Sequence, residues 1–185
     1  MTALTDVVIE SERLRLLPTD ESYAPAIFET FTPEVTTYMF SRPPEHIDET
    51  LAFIRRARTE MTEGRALEVV VLLRESGEFI GHGGVPRANT EAPELGIWIK
   101  TAAHGQHYGR EAVTALAGWA AANLRFRYLA YPVDRRNVAS RKIPESLGGR
   151  IETEYEMVSQ SGARLDIVEY RIYPEALARR LRPEA

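Results

Sequence analysis

The segment from His104 to Ala112 carries the residue types whose spacing most directly suggests chemistry. It reads His-Gly-Gln-His-Tyr-Gly-Arg-Glu-Ala and lies between a strand-like run at 94–100 and the start of a long amphipathic helix. The first turn of a helix leaves its backbone N–H groups without intrahelical acceptors, and the helix dipole is positive there. Glycines and small polar residues at such a start let an anion approach. The segment therefore predicts a socket for the pyrophosphate of a cofactor.

A second motif begins at Asn137. It reads Asn-Val-Ala-Ser up to Ser140 and ends at Gly148. Asn is a preferred N-cap and Gly a preferred terminator, so a short helix is predicted over 138–147. Pro144 inside it removes one backbone donor and predicts a kink. The hydroxyl of Ser140 could bond its own helix backbone or face a neighbouring ligand, and both readings stay open.

The composition excludes several classes of function. The 185 residues carry a formal net charge of −4 and are not strongly basic overall, so no nucleic-acid partner is expected. The absence of cysteine excludes disulfides, thiolate metal ligands and a Cys nucleophile, and no metal site is predicted. No window approaches the ~20 apolar residues of a membrane span, and the N-terminus lacks a signal-peptide pattern. We expect one cytoplasmic domain over residues 1–185, without a membrane partner.

Hydrophobic periodicity predicts the elements that would position both motifs. An alternating run at 12–17 predicts a first strand, a helix is expected after Pro18, and an apolar helical face spans 46–63. The other predicted elements are strands at 66–73, 79–85, 94–100 and 126–133, a helix at 106–123, and a closing hairpin of 150–158 and 163–173.

The order of these elements indicates the fold class. Strands on either side of the 106–123 helix form a βαβ unit, which predicts a parallel pair with a right-handed crossover. The run at 66–73 is almost wholly apolar, which predicts a strand buried on both faces. Gly81, Gly83 and Gly84 predict a bulge or a close backbone approach in the next strand. The chain is therefore expected to be α/β (α+β), with a mixed central sheet of about seven strands and about four flanking helices.

These motifs resemble those of the GNAT N-acetyltransferase superfamily, and the similarity runs over nearly the whole chain. The superfamily's pyrophosphate signature is Arg/Gln-x-x-Gly-x-Gly/Ala, whose defined positions correspond here to His104, His107 and Gly109. The first two depart from it, but main-chain N–H groups bind phosphate whichever side chain they carry, and we expect a helical φ at His107. The most similar branch includes the ribosomal-protein N-terminal acetyltransferases. The resemblance implies a GNAT-like fold and direct acetyl transfer from acetyl-CoA to a primary amine.

The resemblance also implies which residues contact acetyl-CoA. Backbone N–H groups of residues 97–99 would pair with the pantetheine arm and stabilise the oxyanion, with a bulge near Gly96 directing them. The Trp98 ring itself is expected to lie in the core. The predicted contacts are Ile97, Trp98, Ile99, His104, Gly105, Gln106, His107, Tyr108, Gly109, Arg110, Asn137 and Ser140.

Acetyl transfer to an amine requires an uncharged nitrogen and a carbonyl oxygen stabilised as negative charge develops. Glu94 is the first candidate for the base, acting directly or through a water, because it opens the strand expected beside the cofactor and the resemblance implies an acid there. Glu91 and Asp134 are weaker alternatives. His82 has an ordinary pKa suited to base chemistry, but a structural role is favoured for it.

The departing thiolate is best protonated or hydrogen-bonded. Many members of the superfamily use a Tyr seven residues after the Asn of the second motif, and Pro144 stands at that position here. No phenol is therefore expected beside the sulfur. The resemblance implies that Ser140 takes this place as a hydrogen-bond donor.

The amine acceptor is left open by the sequence. It would be shaped by residues around 28–40, the loop 86–93 and the closing hairpin, and Phe31, Tyr38 and Phe40 could wall a pocket or fill core. Protein N-termini and small-molecule amines both remain candidates, and a homodimer is possible.

Two other functions compete with acetyl transfer. The altered signature histidines and the missing Tyr leave a catalytically silent acyl-CoA-binding or sensor module as the alternative. A dinucleotide oxidoreductase is disfavoured, since no Gly-x-Gly-x-x-Gly follows a strand.

Overall fold

The computed structural model describes residues 3–181. Short 3₁₀ turns at Glu21–Tyr23 and Thr101–Ala103 accompany the regular elements. The strands and helices in chain order are β1 (Ile9–Glu10), β2 (Leu14–Pro18), α1 (Ala24–Thr30), α2 (Pro33–Thr36), α3 (Ile47–Thr62), β3 (Leu67–Leu73), β4 (Phe79–Val85), β5 (Gly96–Ile99), α4 (Tyr108–Asn123), β6 (Leu129–Asp134), α5 (Val138–Ser146), β7 (Arg150–Val158), β8 (Arg164–Ile172) and α6 (Pro174–Leu181). None of the helices within 3–181 is long and apolar enough to cross a membrane.

The strands form two sheets. Strands β1 to β5 form an antiparallel sheet in chain order, and β8 lies between β6 and β7 in a second sheet. A single parallel bridge between Glu94 and Ala130 joins the two. Leu95 N–H donates to the Ala130 carbonyl at 2.9 Å, and Ala130 N–H donates to the Pro93 carbonyl at 2.8 Å. The expected mixed α/β architecture is confirmed, but the predicted parallel pair exists only at this bridge, after which β5 and β6 belong to different sheets.

One face of the first sheet packs against α4. The predicted apolar stripe of this helix is confirmed, because Ala112, Val113, Leu116, Ala117 and Ala120 are all fully buried. They share one core cluster with β2 and β3 side chains and with the inward side chains of β6 and β8. Helix α4 is thereby fixed against both sheets, and its first turn lies where they separate.

The opposite face of the first sheet is covered by α1 and α3. Ile27 of α1 and Ile54 of α3 are buried with Val70 and Leu72 of β3 in a second, smaller cluster. Strand β3 is thus buried on both faces, as its apolar run predicts. Helix α3 ends as expected, since Gly64 adopts a left-handed φ of 69° directly after it.

Strand β4 shows both features that its glycines predict. Val71 pairs with Gly81 and Leu72 with Phe79, so an extra residue bulges between them. A Cβ added at Gly81 would collide with the Trp98 carbonyl oxygen of the neighbouring strand. The glycines therefore let β3, β4 and β5 approach closely at this point.

Candidate active site

The turn before α4 contains two residues in the left-handed conformation. Gly105 has φ 78° and His107 has φ 62°. The helical φ expected at His107 is therefore wrong. His107 is the N-cap residue, outside the helix, and the chain must turn sharply from the Thr101–Ala103 segment into α4. Histidine is among the non-glycine residues that tolerate this conformation better than most.

This turn leaves several backbone donors available at the head of α4. His104 N–H donates to the Thr101 carbonyl and Glu111 N–H to the His107 carbonyl, but no backbone acceptor within 3–181 reaches the N–H groups of residues 105–107. A Cβ added at Gly105 would meet no atom within 4 Å, so the space beside the turn is open. Left-handed turns tip successive N–H groups to one side and form concave anion sites. The segment from Gly105 to Arg110 thus fits a pyrophosphate.

The side chains of this segment take different directions. His104 Nε2 lies 2.7 Å from the Ile99 carbonyl oxygen, which ties the turn to the end of β5. Gln106 and Arg110 are exposed. Gly109 lies against Ile99, since a Cβ added there would stand 3.7 Å from its side chain. The open contacts toward a phosphate are therefore mainly main-chain ones.

An ion pair that the sequence reasoning missed fixes the turn to the residues directly before strand β2. Glu111 accepts from the Ser11 hydroxyl at 2.7 Å, from Arg13 N–H at 2.8 Å and from Arg13 Nε at 2.7 Å. Burial alone would raise the pKa of Glu111, but these hydrogen bonds outweigh it and lower the pKa. The Arg13 guanidinium also donates to the Gln106 carbonyl at 3.1 Å and lies 4.6 Å from the centre of the Tyr108 ring. Arg13 and Glu111 lie 98 residues apart in the sequence, so no local pattern indicates their contact.

Strand β5 presents one edge to the gap between the sheets. Lys100 N–H donates to the Ile80 carbonyl at 2.8 Å. Hydrogen-bonding direction alternates along an antiparallel strand, so Trp98 N–H also faces β4, while Ile97 and Ile99 face the gap. The main-chain N–H groups of Ile97 and Ile99 are therefore open to the gap between the sheets, and that of Trp98 is not. The bulge expected near Gly96 is also absent, because Gly96–Ile99 pairs with β4 in regular register.

The second motif adopts the predicted cap. Asn137 Oδ1 accepts from Ser140 N–H at 3.1 Å, and α5 begins at Val138. The Ser140 hydroxyl lies 2.8 Å from the Tyr131 hydroxyl of β6. Burial raises the pKa of Tyr131 to about 12, although the hydrogen bond with Ser140 lowers it in part. The sequence reasoning looked for a phenol only at position 144 and missed this one, which a β6 side chain supplies beside Ser140.

A cavity of about 510 Å³ opens on the face of β4 and β5 that is opposite to helix α4. The three segments expected to shape the acceptor site all contribute to its wall, through Phe31, Pro86 and Gln160. Tyr38 and Phe40 are instead largely exposed. The Trp98 ring packs at 5.0 Å from the Phe31 ring and lines this cavity, so its side chain lies on the face of β5 that borders the cavity.

Three titratable residues line the cavity near β5. Glu94 forms an ion pair with Arg87 at 3.1 Å, yet burial dominates and raises its pKa. His82 is buried between the Phe53 and Trp98 rings, and burial lowers its pKa to about 4. Glu68 of β3, which the sequence reasoning overlooked, has its pKa raised to about 8, chiefly by burial. An apolar strand with one glutamate is the only sequence signal that could have pointed to it.

The other base candidates lie outside this cavity. Asp134 is fully buried, and hydrogen bonds from Arg136 lower its pKa against the effect of burial. Its carboxylate also accepts from Asp166 N–H at 3.1 Å. Glu91 is exposed in the loop before β5. Neither residue lines the cavity.

The comparisons with known proteins agree with this geometry. The family model for the acetyltransferase (GNAT) domain matches residues 13–150, more than half of the chain. A search of curated proteins found no match. Among solved structures, the RimL ribosomal L7/L12 alpha-N-protein acetyltransferase in complex with coenzyme A is 18% identical, with a TM-score of 0.81 over 92% of this chain and 99% of that one.

Two further structures share the fold. Spermidine N-acetyltransferase from Vibrio cholerae, in complex with CoA and spermine, is 16% identical with a TM-score of 0.78 over 91% of this chain and 99% of that one. A GCN5-related N-acetyltransferase from Brucella melitensis is 19% identical with a TM-score of 0.78 over 93% and 80% of the two chains. Nothing in the comparisons favours the silent-module alternative. With the family model matched over most of its length, the chain belongs to the GNAT acetyltransferase family and is an acetyl-CoA-dependent N-acetyltransferase.

Proposed function

We propose that the acceptor is a primary amine that enters the cavity beside β5 and attacks acetyl-CoA lying along the opposite edge of that strand. The observation that carries the proposal is that β5 is accessible both from the gap between the sheets and from the cavity. Its Ile97 and Ile99 main chain faces the gap between the sheets, and its Gly96 and Ile97 line the cavity. Acetyl-CoA supplies an activated acyl group, so the protein need only position both substrates and manage protons and charge.

Glu94 acts as the base in this proposal. It lines the cavity directly before β5, and burial raises the pKa of its carboxyl toward the range in which a carboxylate can accept a proton from an amine. Arg87 holds the carboxylate in place through the contact at 3.1 Å. Proton removal, directly or through a water, frees the nitrogen lone pair, the C–N bond forms, and the C–S bond then breaks.

Ser140 and Tyr131 act on the departing sulfur in this proposal. Their hydroxyls are 2.8 Å apart, and the burial of Tyr131 keeps its phenol protonated. A protonated phenol that donates to Ser140 orients the serine hydroxyl outward, where it can donate to the sulfur. The N–H groups of Ile97 and Ile99 are the proposed donors to the carbonyl oxygen.

The acceptor is proposed to be either a peptide N-terminus or a small-molecule amine. RimL acts on a ribosomal protein, the Vibrio cholerae enzyme on spermidine, and both share this fold. We further propose that residues 1–185 form one catalytic domain and that it works in the cytoplasm. A homodimer also remains a prediction, which light scattering after gel filtration would test.

A thiol-release assay tests the proposal cleanly. The chain contains no cysteine, so a thiol reagent detects only the coenzyme A that is released. The wild-type protein is expected to turn over part of a panel of peptide and small-molecule amines. Glu94→Gln should lower kcat most at pH values where the wild-type carboxyl is ionised and the acceptor amine is still protonated, because only there is the base both available and needed. Glu75→Gln, an exposed change in the β3–β4 turn, should have no effect. Acetyl-CoA binding without turnover across the whole panel would count against the proposal.

A further inference from the structure

A row of three paired residues crosses the floor of the acceptor cavity. Glu68 of β3 pairs with Gly84 of β4, and Gly84 pairs with Gly96 of β5. Directly paired residues of an antiparallel sheet point to the same face, so all three positions face the cavity that they line. Two of the three lack a side chain. No side chain of this row therefore lies between the Glu68 carboxyl and β5.

The Glu68 carboxyl lies directly over Gly84. A Cβ added at Gly84 would stand 2.8 Å from Glu68 Oε2 and would collide with the Leu67 carbonyl oxygen. A Cβ added at Gly96 would meet no atom within 4 Å. The carboxyl is thus held low over one glycine, and the space above the next glycine, beside β5, is free for a ligand.

The second observation is a buried polar atom beside this carboxyl. His82 Nε2 lies 3.8 Å from Glu68 Oε2, too far for a hydrogen bond. It has no hydrogen-bond partner among the described residues, and the His82 side chain is only 6% exposed. Buried polar atoms in proteins are normally satisfied. A neutral imidazole and a carboxyl, close together but not bonded to each other, thus present two polar groups to the cavity.

Most other charges around the cavity are already paired, since Arg42 contacts Glu49 at 2.8 Å and Arg87 contacts Glu94 at 3.1 Å. Arg56, which also lines the cavity, lies over the Phe53 ring at 5.9 Å and forms no ion pair with Glu68. Within residues 3–181, the only basic group within ion-pair distance of Glu68 is His82, which burial keeps neutral. The floor therefore offers one carboxyl without a cationic partner.

We infer that Glu68 is the counter-ion of the acceptor, and that the site selects aliphatic amines that arrive as ammonium ions. This inference rests on the proposed function and names its substrate class. An ammonium above Gly96 would satisfy the Glu68 carboxylate and stand beside the strand along which the thioester lies. Aromatic amines, which are uncharged at neutral pH, lack this anchor. Glu68 thus determines specificity, while Glu94 removes the proton.

The charges that face Glu68 set the pH at which this anchor forms. Burial raises its pKa most, Glu60 of α3 and Glu94 raise it further, and Arg56 of α3 opposes them. His82 stays neutral above about pH 4 and adds no charge. Since the pKa of Glu68 is about 8, the anchor is largely protonated at pH 6 and largely ionised at pH 9.

Calorimetric titration with n-butylamine, without acetyl-CoA, tests the inference. Its ammonium, like that of lysine with a pKa of about 10.4, stays charged at both pH 6 and pH 9. Wild-type protein and the matched control Glu75→Gln should bind it at least tenfold more tightly at pH 9 than at pH 6. Glu68→Gln should bind it weakly with no such change, and n-butanol, the neutral isostere, should show no pH dependence with any variant.

A second variant guards against a trivial loss of binding. Glu68→Asp withdraws the carboxylate from Gly84 by one methylene and should weaken n-butylammonium binding severalfold at pH 9. A Glu68→Gln protein that keeps the wild-type pH dependence would overturn the inference, as would a wild-type affinity that does not change with pH. Thiol release is measured separately. If no amine released coenzyme A in that assay, the proposed acetyl transfer would be refuted. The role of Glu68 in ammonium binding would still be decided by the calorimetric titration.

Discussion

Replacement of Glu68 by Gln should change how the stability of the fold depends on pH. The side chain is 15% exposed, and its pKa in the folded protein is about 8 against an ordinary value of 4.5. In the unfolded chain Glu68 loses its proton near pH 4.5, whereas the folded protein retains it up to about pH 8. The folded state therefore binds more protons across this window, and its stability falls as pH rises through it. Gln, which is isosteric and does not titrate, removes this dependence.

The magnitude follows from the width of the window. A shift from 4.5 to about 8 spans about 3.5 pH units, and each unit corresponds to about 1.36 kcal/mol. Wild-type protein should therefore lose up to about 5 kcal/mol relative to Glu68→Gln between pH 4.5 and pH 8. His82 acts in the opposite sense, because its lowered pKa costs stability as pH falls from 6.5 to about 4, but it is present in both proteins and cancels in the difference.

Urea unfolding at half-unit steps from pH 5 to pH 9 measures this difference. The free energy of unfolding of Glu68→Gln minus that of wild type should rise by as much as about 1.4 kcal/mol per pH unit and level off above pH 8. Glu75→Gln, in the exposed turn that follows β3, should follow wild type throughout. A difference that stays flat with pH would refute the reasoning, since it would mean that Glu68 titrates alike in the folded and unfolded chains.

Three further changes test the cofactor side. Tyr131→Phe should lower kcat about tenfold while costing only about 1 kcal/mol of stability, because it removes one hydrogen bond to Ser140; an unchanged kcat in the thiol-release assay would exclude the phenol from the reaction. Arg13→Ala should raise the Kd for acetyl-CoA severalfold with little change in kcat at saturation, since it frees the turn before α4; equal affinities in calorimetry would show that the Arg13 contacts do not support cofactor binding. His107→Gly should keep acetyl-CoA affinity and His107→Val should reduce it, because a β-branched residue resists φ 62°; equal affinity of the two variants would show that the left-handed turn is not needed.

The features that follow from local sequence were predictable. The head of α4 could be recognised from consecutive residues, because a helix start and its glycines lie within one segment. The same holds for Asn137, whose cap is a contact with the third residue after it. His107 was misjudged because a helix-compatible residue type does not reveal the turn that the preceding chain imposes on it.

The features that depend on strand register were not predictable. Glu68, Gly84 and Gly96 meet only because three strands align in one particular register, which no local pattern specifies. The contact of Tyr131 with Ser140 depends on how α5 packs on β6, and the contact of Arg13 with Glu111 joins distant segments. Strands β5 and β6 are joined only by the bridge between Glu94 and Ala130, and hydrophobic periodicity cannot distinguish such a bridge from continuous strand pairing. The division into two sheets was therefore not predictable.

The unequal surroundings of two neighbouring glycines bear on how this enzyme could diverge. A methyl group at Gly84 meets main chain that cannot yield, whereas one at Gly96 enters empty space. Gene duplicates could therefore explore larger residues at Gly96 while retaining the scaffold, each added atom narrowing the range of admissible amines. Directed evolution toward a smaller acceptor should therefore begin by randomising the codon for Gly96.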